Sequence, residues 1–179
     1  MFTIEQSVLL VIDVQGKLFE LMHQKEELQK KLKALISGIK ILGIPILWTE
    51  QIPEKIGNTV PQIAQLLKDI HPIEKVSFSC FPNRRFKESL LALNRKQIIV
   101  CGIEAHVCVY QTVSDLMDEG FQVEVVCDAI SSREEHNRDV ALERMCQASA
   151  KLTTVEMILC ELLRTSEHKN FKEILRLIK

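Results

Sequence analysis

This 179-residue chain has few aromatic residues, almost no net charge and no long apolar run. Aromatic residues make up only 5% of the sequence, and 23 basic residues nearly cancel 24 acidic ones. This balance gives no electrostatic reason to expect nucleic acid or an anionic membrane as a partner. No run of residues is apolar for long enough to form a transmembrane helix. The hydrophobic content of 46% instead predicts one domain, residues 1–179, with a substantial core.

The first residues contain no basic leader and no small-residue cleavage site before the apolar run that begins at Ser7. Secretory signals carry both features, so we expect a cytoplasmic protein. The six cysteines lie far apart, and a chain of this length needs no disulfide to fold. We therefore expect reduced thiols. Small core side chains are predicted for Cys101, Cys127, Cys146 and Cys160. Cys80 is left unassigned.

Strand-like runs alternate with helical stretches along the chain, and no linker or repeat interrupts them. Strands are predicted at 8–14, 45–49, 97–102, 122–128 and 151–154, and helices at 24–42, 61–67, 85–93, 107–119, 133–150 and 171–178. This alternation is typical of an α/β fold with three layers, α-β-α, in which helices cover both faces of a mostly parallel sheet of about six strands. The stretch 52–84 carries four of the five prolines and is predicted to be irregular, as binding loops or lids are.

Three polar residues are predicted at the carboxyl ends of strands, where parallel sheets place their reactive crevice. Asp13 ends the first apolar run, Lys75 follows a segment with a proline, and Cys108 follows the strand at 97–102. At the start of a helix, the dipole and the free N–H groups favour a thiolate, so Cys108 is a candidate nucleophile. Taken singly, Asp13 fits a helix cap or a salt bridge to Lys75 equally well, and most single cysteines are inert core thiols.

Three segments together are more specific than these single residues. They read Val11-Ile12-Asp13-Val14-Gln15, Lys75-Val76-Ser77-Phe78-Ser79-Cys80-Phe81 and Gly102-Ile103-Glu104-Ala105-His106-Val107-Cys108. In this order and approximate spacing, the chain resembles the isochorismatase-like cysteine hydrolases over nearly its whole length. Nicotinamidases and N-carbamoylsarcosine amidohydrolases belong to that superfamily.

The resemblance implies a Rossmann-like fold, a homo-oligomer of two or more subunits and no cofactor. It also implies that Asp13, Lys75 and Cys108 form a catalytic triad. A cis peptide is implied between Ile103 and Glu104, and the backbone N–H groups of Glu104 and Cys108 would then form the oxyanion hole.

The resemblance does not extend to the nicotinamidase metal, which is bound through an Asp-x-His motif and a further histidine near the second strand. At that place this chain has Trp48-Thr49-Glu50-Gln51-Ile52-Pro53, which contains no histidine. In this run it resembles the YcaC-type and isochorismatase-domain-containing branch of the superfamily. Cys101, His106 and Cys108 lack a fourth ligand at zinc-like spacing, so no metal is expected there either. His106 is interpreted as shaping the pocket mouth or making a neutral hydrogen bond.

The sequence therefore predicts a hydrolase that cleaves an amide-type carbon–nitrogen bond of a small molecule through a cysteine thioester. Candidates for the substrate pocket are Phe19, Trp48, Gln51, Phe78 and Phe81, and such walls suit a flat apolar amide or a small ureido compound. Two alternatives stay open. One is a binding or assembly domain of the same fold with an idle triad. The other is a peroxide sensor in which Cys80 or Cys101 resolves an oxidised Cys108.

Overall fold

A parallel sheet forms the centre of the molecule, and the computed structural model describes all 179 residues around it. Its strands are β1 (Ser7–Ile12), β2 (Ile46–Gln51), β3 (Ile73–Lys75), β4 (Gln97–Ile103), β5 (Gln122–Ser131) and β6 (Lys151–Thr153). They lie in the order β3-β2-β1-β4-β5-β6, and every pair is parallel. β1 lies between β2 and β4 and is buried along its length, which explains its continuous apolar run.

Nine α-helices connect the strands and cover both faces of the sheet. They are α1 (Gly16–Phe19), α2 (Lys25–Ile41), α3 (Pro53–Ile56), α4 (Pro61–Ala64), α5 (Arg84–Ala92), α6 (Tyr110–Asp118), α7 (Glu135–Gln147), α8 (Val155–Leu163) and α9 (Phe171–Ile178). A 3₁₀ turn at Gln65–Leu67 follows α4, and a π-helical turn at Ala105–Val109 precedes α6. None of these helices combines the length and the hydropathy that a membrane span requires.

Two apolar cores lie on opposite faces of the sheet because side chains alternate along each strand. Leu9 and Val11 of β1 belong to the core beneath α2, α8 and α9. Val8, Leu10 and Ile12 belong to the other core, beneath α5, α6 and α7. The side chain of each residue along a strand therefore points to one face of the sheet or to the other.

The predicted α/β architecture, a parallel sheet of six strands with helices on both faces, is confirmed. Four elements lie outside the predicted set: the four-residue helices α1 and α3, the strand β3 and the helix α8. β3 is a strand of three residues inside the stretch 52–84, and such a short strand has no measurable periodicity. α8 is apolar around most of its circumference, so it lacks the amphipathic pattern by which a helix is recognised.

Gly102 brings the end of β4 unusually close to the end of β1. Its φ is +119°, and a Cβ atom at this position would lie 2.1 Å from the carbonyl oxygen of Ile12. Only glycine tolerates both the conformation and the approach. The residues that follow on the two strands, Asp13 and Ile103, are thereby placed side by side.

Candidate active site

Asp13 leaves β1 in a left-handed conformation, with φ of +49°, and its side chain is buried. Asp and Asn are enriched among the residues that adopt this conformation. The backbone N–H of Gln15 donates to the Asp13 carbonyl at 2.7 Å, which closes a tight turn. One carboxylate oxygen, Oδ1, accepts a hydrogen bond from Thr49 Oγ1 at 2.7 Å. The carboxylate is therefore fixed at the carboxyl end of β1.

Lys75 ends β3, the edge strand, where it pairs in register with Gln51 of β2. Its side chain is fully buried, and Nζ lies 2.6 Å from Asp13 Oδ2. Burial is the largest single influence on the pKa of Lys75 and lowers it, but Asp13, Cys80 and Cys108 together outweigh burial and hold the pKa above its usual value. The lysine is therefore an ammonium ion, paired with Asp13 inside the protein.

Gln51 does not face an open pocket, although it is one of the predicted pocket residues. Its Oε1 accepts from Lys75 Nζ at 2.7 Å, and its Nε2 donates to the carbonyl of Val76 at 2.6 Å. The side chain of Gln15 grips the Gln51 backbone in turn, accepting from its N–H at 2.6 Å and donating to its carbonyl at 3.0 Å. Gln15 has no place in the predicted site, and it follows Asp13 in the chain directly after the tight turn at that residue.

Thr49 and Glu50 are also held by partners within the chain. Thr49 bonds to Asp13, as described above, and Glu50 accepts from the backbone N–H of Thr59 at 2.6 Å and from Asn58 Nδ2 at 3.2 Å. These residues occupy the place where the nicotinamidase resemblance would put metal ligands. Each of their side chains instead fixes a neighbouring loop or the Asp13 carboxylate.

Cys108 lies in the π-helical turn, beneath the same edge of the sheet, and is 6% exposed. The carbonyl of Cys108 accepts a hydrogen bond from Thr112 Oγ1 at 2.6 Å. Burial raises the pKa of the Cys108 thiol well above its usual range, and the negative charge of Asp13 raises the pKa further. Lys75 opposes this shift without cancelling it.

The expectation of a thiolate at Cys108 is therefore wrong for the resting protein. A helix dipole contributes only partial charges, whereas burial and a full carboxylate charge both disfavour the anion. The resting site combines a neutral thiol, a carboxylate and an ammonium ion.

Cys80 is a second thiol beside this group, and the sequence alone left it unassigned. It is fully buried, and its Sγ lies 3.8 Å from Thr49 Oγ1. The hydroxyl of Thr112 accepts from the Cys80 N–H at 3.0 Å and donates to the Cys108 carbonyl, so one side chain links both cysteines. Burial and the charge of Asp13 raise the pKa of Cys80 to about 11.

The peptide between Ile103 and Glu104 is cis. The Glu104 carboxylate is buried, and its Oε1 accepts from the backbone N–H of Arg133 at 3.2 Å and from Arg133 Nε at 3.0 Å. His106 Nδ1 and Ser132 Oγ lie 2.9 Å apart, within hydrogen-bond distance. These contacts attach the segment that precedes Cys108 to the loop that follows β5.

The four predicted aromatic pocket residues are spread over the molecule. Phe19 and Trp48 lie in the core beneath α2, and Trp48 Nε1 donates to the carbonyl of Ile70 at 3.2 Å. Phe81 packs edge-on against Phe121 in the opposite core, with its ring centroid 6.5 Å away. Phe78 is exposed. Alternation along β2 explains the position of Trp48, because it points away from the face that Thr49 and Gln51 share.

The remaining cysteines are only partly where the sequence predicts them. Cys101 is buried, and Cys127 is half-buried. Cys146 and Cys160 are exposed, so their assignment to the core is wrong. Both lie on helices whose other faces meet the core, and a cysteine is small enough to fit either face.

The model of the isochorismatase domain matches residues 7–157. The chain belongs to the isochorismatase family. The secreted isochorismatase effector Isc1 of Phytophthora sojae (strain P6497) is 37% identical over 177 residues, which are 97% of this chain and 84% of that protein. Isochorismatase domain-containing protein 2A of Mus musculus is 37% identical over 175 residues, which are 98% of this chain and 84% of that protein.

Three solved structures of this family share the fold over nearly the whole chain. MAR1 ribonuclease from Caenorhabditis elegans has a TM-score of 0.93 and 38% identity, over 99% of this chain and 91% of that one. YcaC from Pseudomonas aeruginosa, with hexane-2,5-diol and covalent acrylamide, has a TM-score of 0.92 and 26% identity, over 98% and 90%. The YcaC gene product of Escherichia coli, described as an octameric hydrolase of unknown specificity, has a TM-score of 0.92 and 27% identity, over 99% and 88%.

Proposed function

We propose that this protein is a cysteine hydrolase that cleaves an amide-type carbon–nitrogen bond of a small molecule, with Asp13, Lys75 and Cys108 as its triad. The observation that supports it most directly is the position of Asp13. Its buried carboxylate pairs with the Lys75 ammonium at 2.6 Å, and its charge acts on the Cys108 thiol. A base, a fixed positive charge and a potential nucleophile therefore meet at one buried point.

The first step transfers the Cys108 proton to Asp13 while sulfur attacks the substrate carbonyl carbon. Attack from a neutral thiol requires this transfer, because the raised pKa of Cys108 leaves little thiolate in the resting protein. The carbonyl π electrons move onto oxygen, and the backbone N–H groups of Glu104 and Cys108 stabilise the oxyanion. Lys75 stays an ammonium ion throughout and balances the charge that passes between Asp13 and the sulfur.

The second step expels the amine. The oxyanion re-forms the carbonyl, the carbon–nitrogen bond breaks, and Asp13 gives its proton to the departing nitrogen. Water then attacks the thioester with Asp13 as its base, and the carbon–sulfur bond breaks. The sulfur regains a proton from Asp13, so the triad returns to its resting state.

The charges of the site favour a neutral substrate. Lys75 is paired with Asp13, and Glu104 is paired with Arg133. An anionic or cationic substrate would need to displace one of these contacts, whereas a small amide or ureide would not. A homo-oligomer in the cytoplasm belongs to the same proposal, supported by the octameric E. coli relative and by six free cysteines, although one relative is a secreted effector.

The test is an activity screen of the purified protein against small amides, ureides and nicotinamide, with the Cys108→Ser variant as the control. We expect amine or ammonia release from at least one neutral amide, and a loss of roughly a thousandfold or more in Cys108→Ser. The variant should keep the circular dichroism spectrum of the parent protein. Equal rates in the parent protein and in Cys108→Ser would refute the proposal.

RNA is included in the same screen because one structural relative is named a ribonuclease. The only cation in the triad is the Lys75 ammonium, which is fully buried and already paired. It therefore cannot contact a phosphodiester backbone without breaking the ion pair. We expect no RNA cleavage that depends on Cys108.

A further inference from the structure

We propose that Gln51 is a positioning residue, which holds the Lys75 ammonium so that one oxygen of Asp13 stays free to take the Cys108 proton. This inference rests on the proposed function, since it assigns a task within the same triad. Gln51 touches Lys75 and not the reacting atoms, so it acts through the lysine.

The Lys75 ammonium is saturated by neutral oxygens. An ammonium group has three N–H donors. Three neutral acceptors lie around Nζ: Gln51 Oε1 at 2.7 Å, the Phe78 carbonyl at 2.9 Å and the Ser77 carbonyl at 3.1 Å. All three donors can therefore be used without Asp13.

The two oxygens of Asp13 have different surroundings. Oδ1 accepts the hydroxyl of Thr49. Oδ2 lies 2.6 Å from Lys75 Nζ, which is an ion-pair distance, but the contact lacks hydrogen-bond geometry and Oδ2 has no other donor. A buried carboxylate oxygen without a donor is costly unless it has a task. In the first step of the proposed cycle, the Cys108 thiol supplies the missing proton.

The orientation of the Gln51 amide is fixed by its second contact. Nε2 donates to the Val76 carbonyl at 2.6 Å, so Oε1 is the end that faces Lys75. A flipped amide would set its N–H₂ group against an ammonium ion and its oxygen against a carbonyl. The Gln15 amide fixes the Gln51 backbone in the same manner, through the N–H and the carbonyl.

This arrangement suits a base that changes its charge during every turnover. Asp13 alternates between carboxylate and carboxylic acid in the proposed cycle, whereas the three neutral oxygens around Lys75 do not titrate near neutral pH. The ammonium therefore keeps its place when Asp13 is protonated. Without Gln51, an N–H of Lys75 would turn towards Oδ2 and compete with the thiol for it.

The test measures the rate at which acrylamide forms a covalent adduct on Cys108, by peptide mass spectrometry over a range of pH. This reagent needs no knowledge of the natural substrate. The variants are Gln51→Leu, which removes the acceptor, and Gln51→Glu, which keeps an acceptor and adds a charge. Gln62→Leu is the control, since it makes the same type of change on an exposed side chain.

We expect Gln51→Leu to react roughly tenfold more slowly, because a hydrogen bond from the ammonium weakens Asp13 as a proton acceptor. The acid limb of its rate profile should move to lower pH. Gln51→Glu should retain a maximal rate within about threefold of the parent protein, and its acid limb should move to higher pH because two carboxylates then share one ammonium. Gln62→Leu should match the parent protein.

The acid limb of the rate profile must move to lower pH in Gln51→Leu and to higher pH in Gln51→Glu. A merely structural role would slow Gln51→Leu without moving its acid limb, and that result would overturn the inference. So would a parent-like profile in Gln51→Leu. If Gln51→Leu fails to fold in a urea titration, the maximal rate of Gln51→Glu decides the question: a rate more than about threefold below that of the parent protein would overturn the inference.

Failure of the proposed function gives a different pattern. Cys108 of the parent protein would then react no faster than the exposed Cys146, and an Asp13→Asn change would leave its rate unaltered. That result removes the triad and, with it, the task of Gln51. Selective labelling that depends on Asp13 but not on Gln51 overturns the positioning role and leaves the triad in place.

Discussion

Buried polar side chains at the two ends of the sheet are used in different ways. At the carboxyl end, Lys75 contacts both the Asp13 carboxylate and the Gln51 side chain, so buried side chains contact one another and not only the backbone. At the amino end, polar side chains bond to the backbone: Gln97 Oε1 accepts from the Thr3 N–H at 2.8 Å, and Arg95 Nη1 donates to the Ile4 and Ser7 carbonyls at 2.7 and 2.8 Å.

The two patterns point to different tasks. Side chains that satisfy backbone groups secure a terminal segment, and their removal exposes or orphans that backbone. Side chains that satisfy one another concentrate charge at a point, which a fold does not require for stability. Changes at the carboxyl end should therefore affect chemistry most, and changes at the amino end should affect stability alone.

The largest effect is expected for Lys75→Met. The change leaves the Asp13 carboxylate buried without a counter-ion, so the free energy of unfolding should fall by about 3–5 kcal/mol at neutral pH. Labelling of Cys108 by acrylamide should fall with it. Urea unfolding monitored by the fluorescence of Trp48 measures the first effect, and mass spectrometry the second.

The double variant Asp13→Asn with Lys75→Met separates the two effects. It removes both charges, and Asn tolerates the positive φ at position 13. Most of the lost stability should return, while Cys108 stays unreactive. A double variant as unstable as Lys75→Met alone would show that the ion pair serves the fold, and the contrast between the two ends would then fail.

Gly102→Ala is expected to have the second largest effect. A methyl group at this position meets the Ile12 carbonyl oxygen at 2.1 Å, and φ is +119°, so the two strands must move apart. The cost should be about 3 kcal/mol. Gly43→Ala is the matched control, because its φ is also positive, at +70°, but nothing lies within 4 Å of its Cβ.

Both glycine variants are compared by thermal unfolding. Gly43→Ala should lose only about 1 kcal/mol, from backbone conformation alone. Similar losses in the two proteins would show that the close approach of β4 to β1 is easily relaxed. In that case, the carboxyl ends of β1 and β4 would adjust more easily than the contacts around Asp13 suggest.

The contacts around Asp13 and Gly102 also show which parts of the site a sequence can and cannot predict. Alternating apolar runs and helical periods predict the sheet and most helices, because burial and periodicity are local properties. The positions of Asp13 and Cys108 at strand ends follow from the same pattern. The hydrogen bonds of Gln15 and Gln51 join the segment after β1 to the end of β2 across 36 residues, and no local pattern encodes such a pairing.

The protonation state of Cys108 is the other part that sequence leaves out. The position after a strand suggests a thiolate, because the helix dipole is a local feature. Burial and the distance to Asp13 are tertiary features, and they decide the direction of the pKa shift. The pocket residues stay a prediction for the same reason, since an aromatic side chain such as Trp48 fits the core as readily as a crevice.

Cys80→Ala has a smaller expected effect and asks which of two neighbouring thiols reacts. Both thiols interact with Asp13, but Cys80 is fully buried while Cys108 is 6% exposed. We expect the variant to lose about 1 kcal/mol of stability, from the small cavity left behind. Labelling of Cys108 should stay within about threefold of the parent protein. Loss of the labelled peptide in Cys80→Ala would identify Cys80 as the reactive thiol.

The smallest effect is expected for Glu124→Gln at the amino end of β5, and it is a gain. Burial raises the pKa of Glu124, and Glu161 raises it further, while Lys151 and the N-terminal ammonium oppose them. A carboxyl group with a raised pKa destabilises the folded state once it ionises. The parent protein therefore loses this part of its stability as pH rises from the usual glutamate value through the raised one.

Glu124→Gln should be more stable than the parent protein at pH 7 by about 0.5 kcal/mol, since water screens part of the effect. The difference should vanish below about pH 4, where both side chains are neutral. Urea unfolding at several pH values measures it, and labelling of Cys108 should stay unchanged throughout. A change in that labelling would mean that the two ends of the sheet are coupled, because no charge near Asp13 is altered by a substitution at Glu124.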